Sequence, residues 1–240
     1  MKRHLHKEFR RIPRKWKLRY GYYQYFDHFF GRRFFSKLTR KSRKRFYAKL
    51  SAWLENGGEG KLIPVERKSE LSISDFIENY VKQGIPVVLT GQAAEWACTK
   101  TWSLNYFKEL HGSDKVIYVD QARLDKGDYQ ELTLGEVLDM IQTGKADYYR
   151  FYPLLKRHPE HLLDFDYEWL RKRRLKKGFG EAFQTFISSK GGYTALHNAS
   201  TQNIFTQVYG KKKWRLYPSE YTCIIDPDPV KNVYRSAPVR

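Results

Sequence analysis

Four short apolar segments, each bounded by glycine or polar turn residues, follow one another in the last quarter of the chain. They cover residues 183–188, 193–197, 203–209 and 213–217. Segments of this length and spacing are typical of antiparallel β-strands. Because helical patterns precede them, the sequence predicts a mainly β protein with a helical N-terminal elaboration. This is an α+β arrangement in which the strands form a sandwich or jelly roll.

The stretch upstream, residues 71–152, alternates between capped helices and short strands. Ser72, Ser103 and Thr133 each stand immediately before a helical pattern of apolar residues. At that position a side-chain oxygen can accept a hydrogen bond from the first turn. Short apolar runs predict strands at residues 86–90, 116–119 and 148–152. A basic helix is expected around residues 169–177.

Most of the formal net charge of +19 lies at the N-terminus. Residues 1–50 contain 18 Lys and Arg against 2 acidic side chains, a charge of +16, whereas the other 190 residues contain 27 basic and 24 acidic side chains. Tyr and Phe are interleaved with the basic groups. The sequence therefore predicts a basic, aromatic-rich helical extension at residues 1–55, a Gly-rich linker at 56–61 and a folded domain over 62–240.

Three interpretations of this extension stay open from the residues alone. Its basic groups can neutralise phosphates while its rings stack on the unpaired bases of a nucleic acid. The same pattern suits a helix that lies on an anionic membrane surface. Alternatively, the aromatic stripe packs against the protein itself, and the Lys and Arg side chains form a solvated face.

Composition excludes several classes of protein. With 41% hydrophobic residues, the chain is too apolar to be wholly disordered. No run approaches the ~18 apolar residues of a membrane span, and the N-terminus lacks the apolar region of a signal peptide, so we expect a cytoplasmic protein. The two cysteines, Cys98 and Cys223, are too few for a disulfide framework, and we expect both to be reduced and structural.

The densest group of side chains that could carry chemistry begins with Thr194-Ala195-Leu196-His197-Asn198-Ala199. It continues with Asn203, Gln207, Gly210, Lys212 and Trp214. A His at a strand end near a Lys could bind a metal ion and an acidic co-substrate. A single His on a strand is more often a hydrogen-bonded structural residue, so the residue pattern alone leaves this open.

In order and spacing, this group resembles the cupin-like, JmjC-type oxygenases. The upstream residues that match the same family are Gly84, Ile85, Pro86, Val87, Val88, Leu89, Trp96, Trp102, Ser103, Tyr106 and Phe107. The resemblance covers residues 62–238. It implies a double-stranded β-helix that uses Fe(II) and 2-oxoglutarate to hydroxylate a protein or nucleic-acid-associated substrate.

The resemblance also implies roles for individual residues. His197 falls on the position of the family's first iron ligand. Thr194 and Lys212 fall on positions that bind the distal carboxylate of 2-oxoglutarate, to which a hydroxyl and an ammonium can both donate. Asn203 falls on a position that lines the same pocket, and Tyr149 corresponds to a family tyrosine that also contacts the co-substrate.

Two departures from the family pattern weaken the expectation of catalysis. The family holds iron with two His and one carboxylate, but the carboxylate position here is Ala199. An Ala at this position is similar to the 2-oxoglutarate halogenases, which keep their second His. No His follows His197 in this sequence, and we expect a chain truncated on the C-terminal side of the barrel. The alternative is a catalytically inactive cupin-like binding module, anchored to nucleic acid or a membrane surface by its basic arm.

His158 and His161 have the i, i+3 spacing that can bring two imidazoles to one face of a helix. Pro159 directly follows the first of them, and proline is favoured at the first position of a helix. We therefore interpret this segment as the start of a helix rather than a metal site. Two helical His bind a metal only where a third group converges on them.

Overall fold

The computed structural model describes a mixed α+β protein. The described residues are 11–57, 62–119, 129–146, 148–175, 182–194, 196–197 and 202–227. The chain divides into two compact units, the first comprising residues 1–65, 195–203 and 213–240, and the second comprising residues 66–194 and 204–212. The predicted α+β character is confirmed. The predicted domain boundaries at residues 55 and 62 stay a prediction.

Three helices from the basic N-terminal segment build the first unit: α1 (Arg14–Phe30), α2 (Arg32–Leu38) and α3 (Arg40–Glu55). Gly31, between α1 and α2, has a φ of 79°, which glycine adopts without a steric penalty. A 3₁₀ turn at Ser219–Tyr221 leads into a short helix at Thr222–Ile225. Side chains from both parts of the sequence form one core, made of Ile12, Tyr20, Tyr23, Phe35, Phe46, Leu50 and Cys223.

A buried ion pair lies inside the N-terminal helices. Asp27 is fully buried, and the guanidinium of Arg43 donates a hydrogen bond to its Oδ1 at 2.6 Å. The Nε of Arg32 lies 3.9 Å from the other carboxylate oxygen. Burial raises the pKa of the Asp27 carboxyl, although the hydrogen bond and charge of Arg43 oppose the shift. The basic extension thus contains an internal counter-charge, and removing either partner would leave the other buried without its closest opposite charge.

The described residues of the second unit form six short strands in three two-stranded sheets. The strands are β1 (Glu66–Lys68), β2 (Val87–Leu89), β3 (Lys115–Val119), β4 (Tyr129–Thr133), β5 (Tyr148–Tyr152) and β6 (Thr185–Ser188). The β1–β2 pair is parallel, whereas β3–β4 and β5–β6 are antiparallel. The strands predicted at residues 86–90, 116–119 and 148–152 are therefore confirmed.

Short helices connect these strands. They are α4 (Ile73–Asp75) with a π-helical continuation at Phe76–Val81, α5 (Ala97–Thr101), α6 (Leu104–His111), α7 (Leu134–Gln142), α8 (Leu154–Arg157), a 3₁₀ helix at Pro159–Asp164 and α9 (Tyr167–Lys172). The core of the unit centres on α7, whose buried face belongs to one hydrophobic cluster with residues of α6, β3, β5 and β6. The basic helix expected around residues 169–177 corresponds to α9.

All three predicted N-caps are confirmed. The hydroxyl of Ser72 accepts a hydrogen bond from the backbone of Asp75 at 3.0 Å, and that of Ser103 accepts one from Tyr106 at 3.1 Å. Thr133 forms a complete capping box, because its side chain accepts from the third helical residue and that residue's carboxylate accepts from the Thr133 backbone. These local signals fix where α4, α6 and α7 begin.

The strand prediction for the last quarter of the chain is correct only for β6. The described residues of 193–197, 203–209 and 213–217 contain no strand. The sequence pattern of these segments shows that their residues suit a pleated, half-buried surface. A β-strand also needs a neighbouring strand to which it is hydrogen-bonded. No such neighbour is paired with these segments in the described part of the chain. The jelly roll that the resemblance implies stays a prediction.

Both cysteines are buried free thiols, as predicted. Burial raises the pKa of each, so Cys98 and Cys223 are protonated at neutral pH and behave as small apolar side chains. Among the described residues, no helix combines the length and apolar character that crossing a membrane requires.

Candidate functional site

The hydroxyl of Thr194 is a buried polar group. Its oxygen is shielded from solvent, and no hydrogen-bond partner for it occurs within the described residues. An unsatisfied buried hydroxyl costs about 1–3 kcal/mol, so each one in a native protein needs an explanation. A donor of this kind fits an anionic oxygen of a ligand. This is the role that the family resemblance assigns to the residue.

Lys212 is half-buried and belongs to the same unit as Thr194. Its Nζ lies 5.2 Å from the ring centroid of Phe205 and 6.0 Å from that of Phe186. Aromatic rings attract an ammonium group over their faces at such distances. The two rings therefore hold a positive charge in the segment that the resemblance assigns to the distal carboxylate of 2-oxoglutarate.

Tyr149 faces the other side of the β5–β6 sheet. It pairs with Ile187 of β6, and both side chains belong to the buried core. Because successive residues of a strand point to opposite faces, Phe186, beneath Lys212, points away from Tyr149. Burial raises the pKa of Tyr149, which keeps its phenol neutral. Core packing accounts for this side chain, and its contact with a co-substrate stays a prediction.

His197 and Asn203 are both exposed and belong to the first unit. Ala199, at the family's carboxylate position, lies outside the described residues. With one His and an Ala where the resemblance expects a carboxylate, the residues present do not fit a mononuclear iron site. The predicted roles of His197 as a metal ligand and Asn203 as a lining residue stay predictions.

A cluster of imidazoles and carboxylates lies elsewhere in the second unit, where the sequence did not predict one. The Nε2 atoms of the buried His111 and His161 are 2.7 Å apart. The Nδ1 of His161 lies 2.6 Å from Oδ2 of Asp164, which also accepts a hydrogen bond from the indole of Trp102 at 2.8 Å. Burial lowers the pKa of His111, and the neighbouring imidazoles shift it in the same direction.

A second carboxylate, that of Asp114, contacts the cluster through His158. The His158 ring stacks on His111 with centroids 3.5 Å apart, and its Nε2 lies 2.9 Å from Oδ2 of Asp114. The hydroxyl of Tyr152 donates to the same oxygen at 2.6 Å. Burial disfavours the charged form of Asp114. The hydrogen bonds from Tyr152 and His158 outweigh this effect and lower the pKa of the carboxyl to about 2.

Local sequence explains how the cluster forms. Helix α6 ends at His111, and a proline opens the 3₁₀ helix Pro159–Asp164, which confirms the predicted helix start. The first turn of that 3₁₀ helix carries Glu160 and His161. One ligand atom from each of these two residues and one from His111 all lie within 4.8 Å of one another. Spacing could not identify His111, because it lies 50 residues before its imidazole partner.

Comparison with known proteins places this chain in a family. The cupin-like domain family matches residues 73–239, which is well over half of the sequence. The chain belongs to the cupin-like domain family. The matched region of this cupin-like chain contains both Thr194 and Lys212, together with His197 and the whole histidine cluster.

Three relatives indicate the branch of the family. The cupin-like chain is 31% identical over 166 residues to lysine-specific demethylase JMJ30 of Arabidopsis thaliana, covering 65% of this chain and 38% of that protein. It is 26% identical over 160 residues to lysine-specific demethylase 8 of Xenopus tropicalis, covering 61% and 34%. It is 25% identical over 174 residues to tRNA wybutosine-synthesizing protein 4 of Emericella nidulans, covering 66% and 16%.

These similarities confirm the predicted membership in the cupin-like, JmjC-type family. The matched segment spans about a third of each demethylase and a smaller share of the tRNA-modifying protein. The family is therefore established for this cupin-like chain, whereas activity, substrate and partners of the kind those proteins are named for are matters of proposal.

Proposed function

We propose that this chain binds a 2-oxo dicarboxylate of the 2-oxoglutarate type, as part of a JmjC-type oxygenase. The buried hydroxyl of Thr194, which has no hydrogen-bond partner among the described residues, carries the proposal. Lys212, held over two aromatic rings in the same unit, supplies the complementary charge. A carboxylate accepts hydrogen bonds from both group types, and the ammonium makes the stronger, charge-assisted bond.

The substrate class is proposed from the family. The relatives are named as lysine-specific demethylases and as a tRNA wybutosine-synthesizing protein, which supports a protein or a nucleic-acid-associated molecule as substrate. In the oxygenases that this chain resembles, 2-oxoglutarate is the co-substrate consumed together with oxygen. Thr194 and Lys212 would bind and orient it by its distal carboxylate. The proposal assigns no oxygen chemistry to His197 alone.

A second candidate function is a binding module without turnover. The sequence supports it directly, because Ala199 cannot provide the carboxylate that the family uses to hold iron. The first unit supports it as well, because α1 and α2 expose several large rings among basic residues. These rings are Tyr22, Tyr25, Phe29, Phe30 and Phe34. In this case the arm would anchor the domain to single-stranded nucleic acid, where rings stack on bases and basic groups neutralise phosphates.

Binding of the co-substrate is tested by isothermal titration calorimetry on the full chain without added metal. Two ligands are compared, 2-oxoglutarate and glutarate, which share the distal carboxylate and differ in the 2-oxo group. We expect similar affinities for both, because the proposed contacts are to the shared group. The Lys212→Met variant should bind each roughly ten-fold or more weakly. The matched control is Lys211→Met, which removes the exposed neighbouring charge and should bind like the wild type.

Equal binding by the wild type and Lys212→Met would overturn the assignment. Turnover is tested separately, by measuring Fe(II)-dependent consumption of 2-oxoglutarate in the wild type and in His197→Ala. Loss of consumption in the variant supports the oxygenase. Equal background in both proteins rejects it, and retained co-substrate binding then favours the binding module.

A further inference from the structure

We propose that His111, His161 and Glu160 bind a divalent transition-metal ion of the Zn²⁺ type. The proposal concerns the histidine cluster of the second unit and does not depend on the co-substrate assignment. It requires that the three side chains present donor atoms of the correct type, that their protonation states leave lone pairs available, and that an ion can reach them.

The hydrogen-bond network indicates which nitrogen of His161 is available. Asp164 Oδ2 accepts from the Trp102 indole, which can only donate, so this oxygen also serves as the acceptor for His161 Nδ1–H. With its proton on Nδ1, a neutral His161 has a lone pair on Nε2. That lone pair points at His111 Nε2, 2.7 Å away.

The two facing nitrogens therefore share a single proton, which His111 contributes. The neutral His111 ring can also carry its proton on Nδ1. In that tautomer Nε2 of His111 presents a second lone pair. Two imidazole nitrogens then face one point. A bound ion would take the place of the shared proton, with the nitrogens moving apart to accommodate metal–nitrogen distances of about 2.0–2.1 Å.

Asp164 orients the first ligand as carboxylates do in established metal sites. A metal-bound His commonly donates its other ring N–H to a carboxylate, which fixes the tautomer and makes the ligating nitrogen more basic. Trp102 holds that carboxylate in place, and its ring packs edge-on against His161 with centroids 5.7 Å apart. The supporting contacts thus exist independently of any ion.

Glu160 supplies the third donor and the route from solvent. It directly precedes His161 on the 3₁₀ helix, and 60% of its side chain is exposed. One of its carboxylate oxygens lies within 4.8 Å of one ring nitrogen of His111 and of one ring nitrogen of His161. Two imidazoles and one carboxylate form the donor set of open zinc sites. Mg²⁺ and Ca²⁺ prefer oxygen ligands and therefore bind poorly to a site with two imidazole nitrogens.

Local charge also favours a cation here. Three carboxylates, those of Asp114, Glu160 and Asp164, gather around the imidazoles. The guanidinium of Arg157 lies 3.4 Å from the carboxylate of Asp114 and offsets part of this negative charge. This concentration of acidic groups occurs in a chain with a net charge of +19.

A metal-free explanation predicts a different experimental result. If the cluster is only a buried hydrogen-bond network, added Zn²⁺ will neither bind tightly nor stabilise the fold. Zn²⁺ is therefore titrated into the chelator-treated full chain by calorimetry, and thermal unfolding is followed with and without the ion. We expect saturable binding and a higher midpoint temperature with Zn²⁺, because an ion that binds only the folded state stabilises it.

The decisive variant is Glu160→Gln, which changes an exposed side chain and is expected to fold normally. It should weaken the tight site roughly ten-fold or more. The matched control is Glu168→Gln, whose side chain is also 60% exposed but lies outside the cluster. His197→Ala should bind Zn²⁺ at the tight site like the wild type, which separates this site from the family's iron position.

Two histidine variants complete the test, His111→Asn and His161→Gln, with near-ultraviolet circular dichroism to confirm folding. Folded variants should lose the tight site. The proposal is overturned if the wild type shows no saturable binding, or if Glu160→Gln binds Zn²⁺ as well as Glu168→Gln. It is equally overturned if His197→Ala abolishes the tight site.

Discussion

The hydroxyl of Thr194 and that of Thr133 are in opposite situations, although the side chains are identical. Thr133 caps a helix, whereas the buried oxygen of Thr194 has no hydrogen-bond partner within the described residues. Replacing an unsatisfied buried hydroxyl with a methyl group of the same shape removes a desolvation cost. Thr194→Val should therefore raise the free energy of unfolding by about 1 kcal/mol, while weakening the binding of 2-oxoglutarate.

Urea unfolding and calorimetry measure the two effects on the same variant. A stabilised protein with weaker binding is the expected combination, and it would identify Thr194 as a ligand contact. A destabilised protein would show that the hydroxyl has a partner that the described residues do not include.

The lowered pKa of the Asp114 carboxyl predicts that the folded protein loses stability in acid. Its pKa is lowered from an ordinary value of 3.8 to about 2 by hydrogen bonds that outweigh the effect of burial. A lowered folded-state pKa contributes stability above pH 3.8, and that stability is lost as the pH falls towards 2. The difference between these two pKa values corresponds to about 2 kcal/mol in the free energy of unfolding.

The comparison that isolates this contribution is between the wild type and Asp114→Asn. Their difference in the free energy of unfolding, measured in urea at several pH values between 2 and 5, should shrink as the pH falls. A difference that stays constant over this range would contradict the assignment of the shift to Asp114.

The start and the buried face of helix α7 follow from local sequence signals, namely its N-cap and the spacing of its apolar residues. Its capping box satisfies the first turn, and Leu134, Val137, Leu138 and Ile141 bury one face at helical spacing. Thr133→Val removes the cap while keeping the side-chain shape. We expect it to lower the free energy of unfolding by about 1 kcal/mol, opposite in sign to Thr194→Val. Urea unfolding of the two variants side by side checks the sign.

Elements with their own start and stop signals could be predicted from the sequence, and those that depend on distant pairing could not. The helices beginning at Leu104 and Leu134 need only a cap and a periodic apolar face, both of which are local. Residues 203–209 and 213–217 have a strand-like composition, but composition does not identify a pairing partner. For the same reason Pro159 predicted the start of a helix at this segment, but nothing local predicted the contact of His161 with His111.

The site residues were predicted from a different kind of information than the helices and strands. The positions of Thr194, Lys212 and His197 came from resemblance to a family, since a single His and a single Lys carry little signal by themselves. The structure adds the environment of each side chain: a buried hydroxyl, an ammonium over rings and an exposed imidazole. Such environments depend on tertiary packing, which no local pattern encodes.

At the scale of the whole molecule, the basic charge is segregated from the near-neutral domain, and this predicts salt-dependent binding. If α1 and α2 bind single-stranded nucleic acid, affinity for an RNA oligonucleotide should fall by orders of magnitude between about 50 and 200 mM salt. The double variant Phe29→Ala, Phe34→Ala should bind the oligonucleotide at least ten-fold more weakly, since each base stack on an aromatic ring contributes roughly 1–3 kcal/mol.

Fluorescence anisotropy with a labelled oligonucleotide measures both effects. Vesicles containing anionic lipid serve as the competing ligand, because a membrane-binding arm would also depend on salt. Tighter binding to vesicles than to RNA would reject the nucleic-acid interpretation. Binding to neither would favour an arm whose rings serve only to pack the first unit.

The contacts between α1 and the segment following residue 218 have a consequence for synthesis. Lys17 pairs with Glu220 at 3.0 Å, and these residues are 203 positions apart in the chain. At the usual pace of a ribosome, the N-terminal helices are made roughly 10–40 s before their packing partner emerges. During that interval the rings destined for the core are exposed to solvent beside a strong positive charge. Nascent chains of this protein should therefore need a chaperone or the ribosome surface as a temporary shelter.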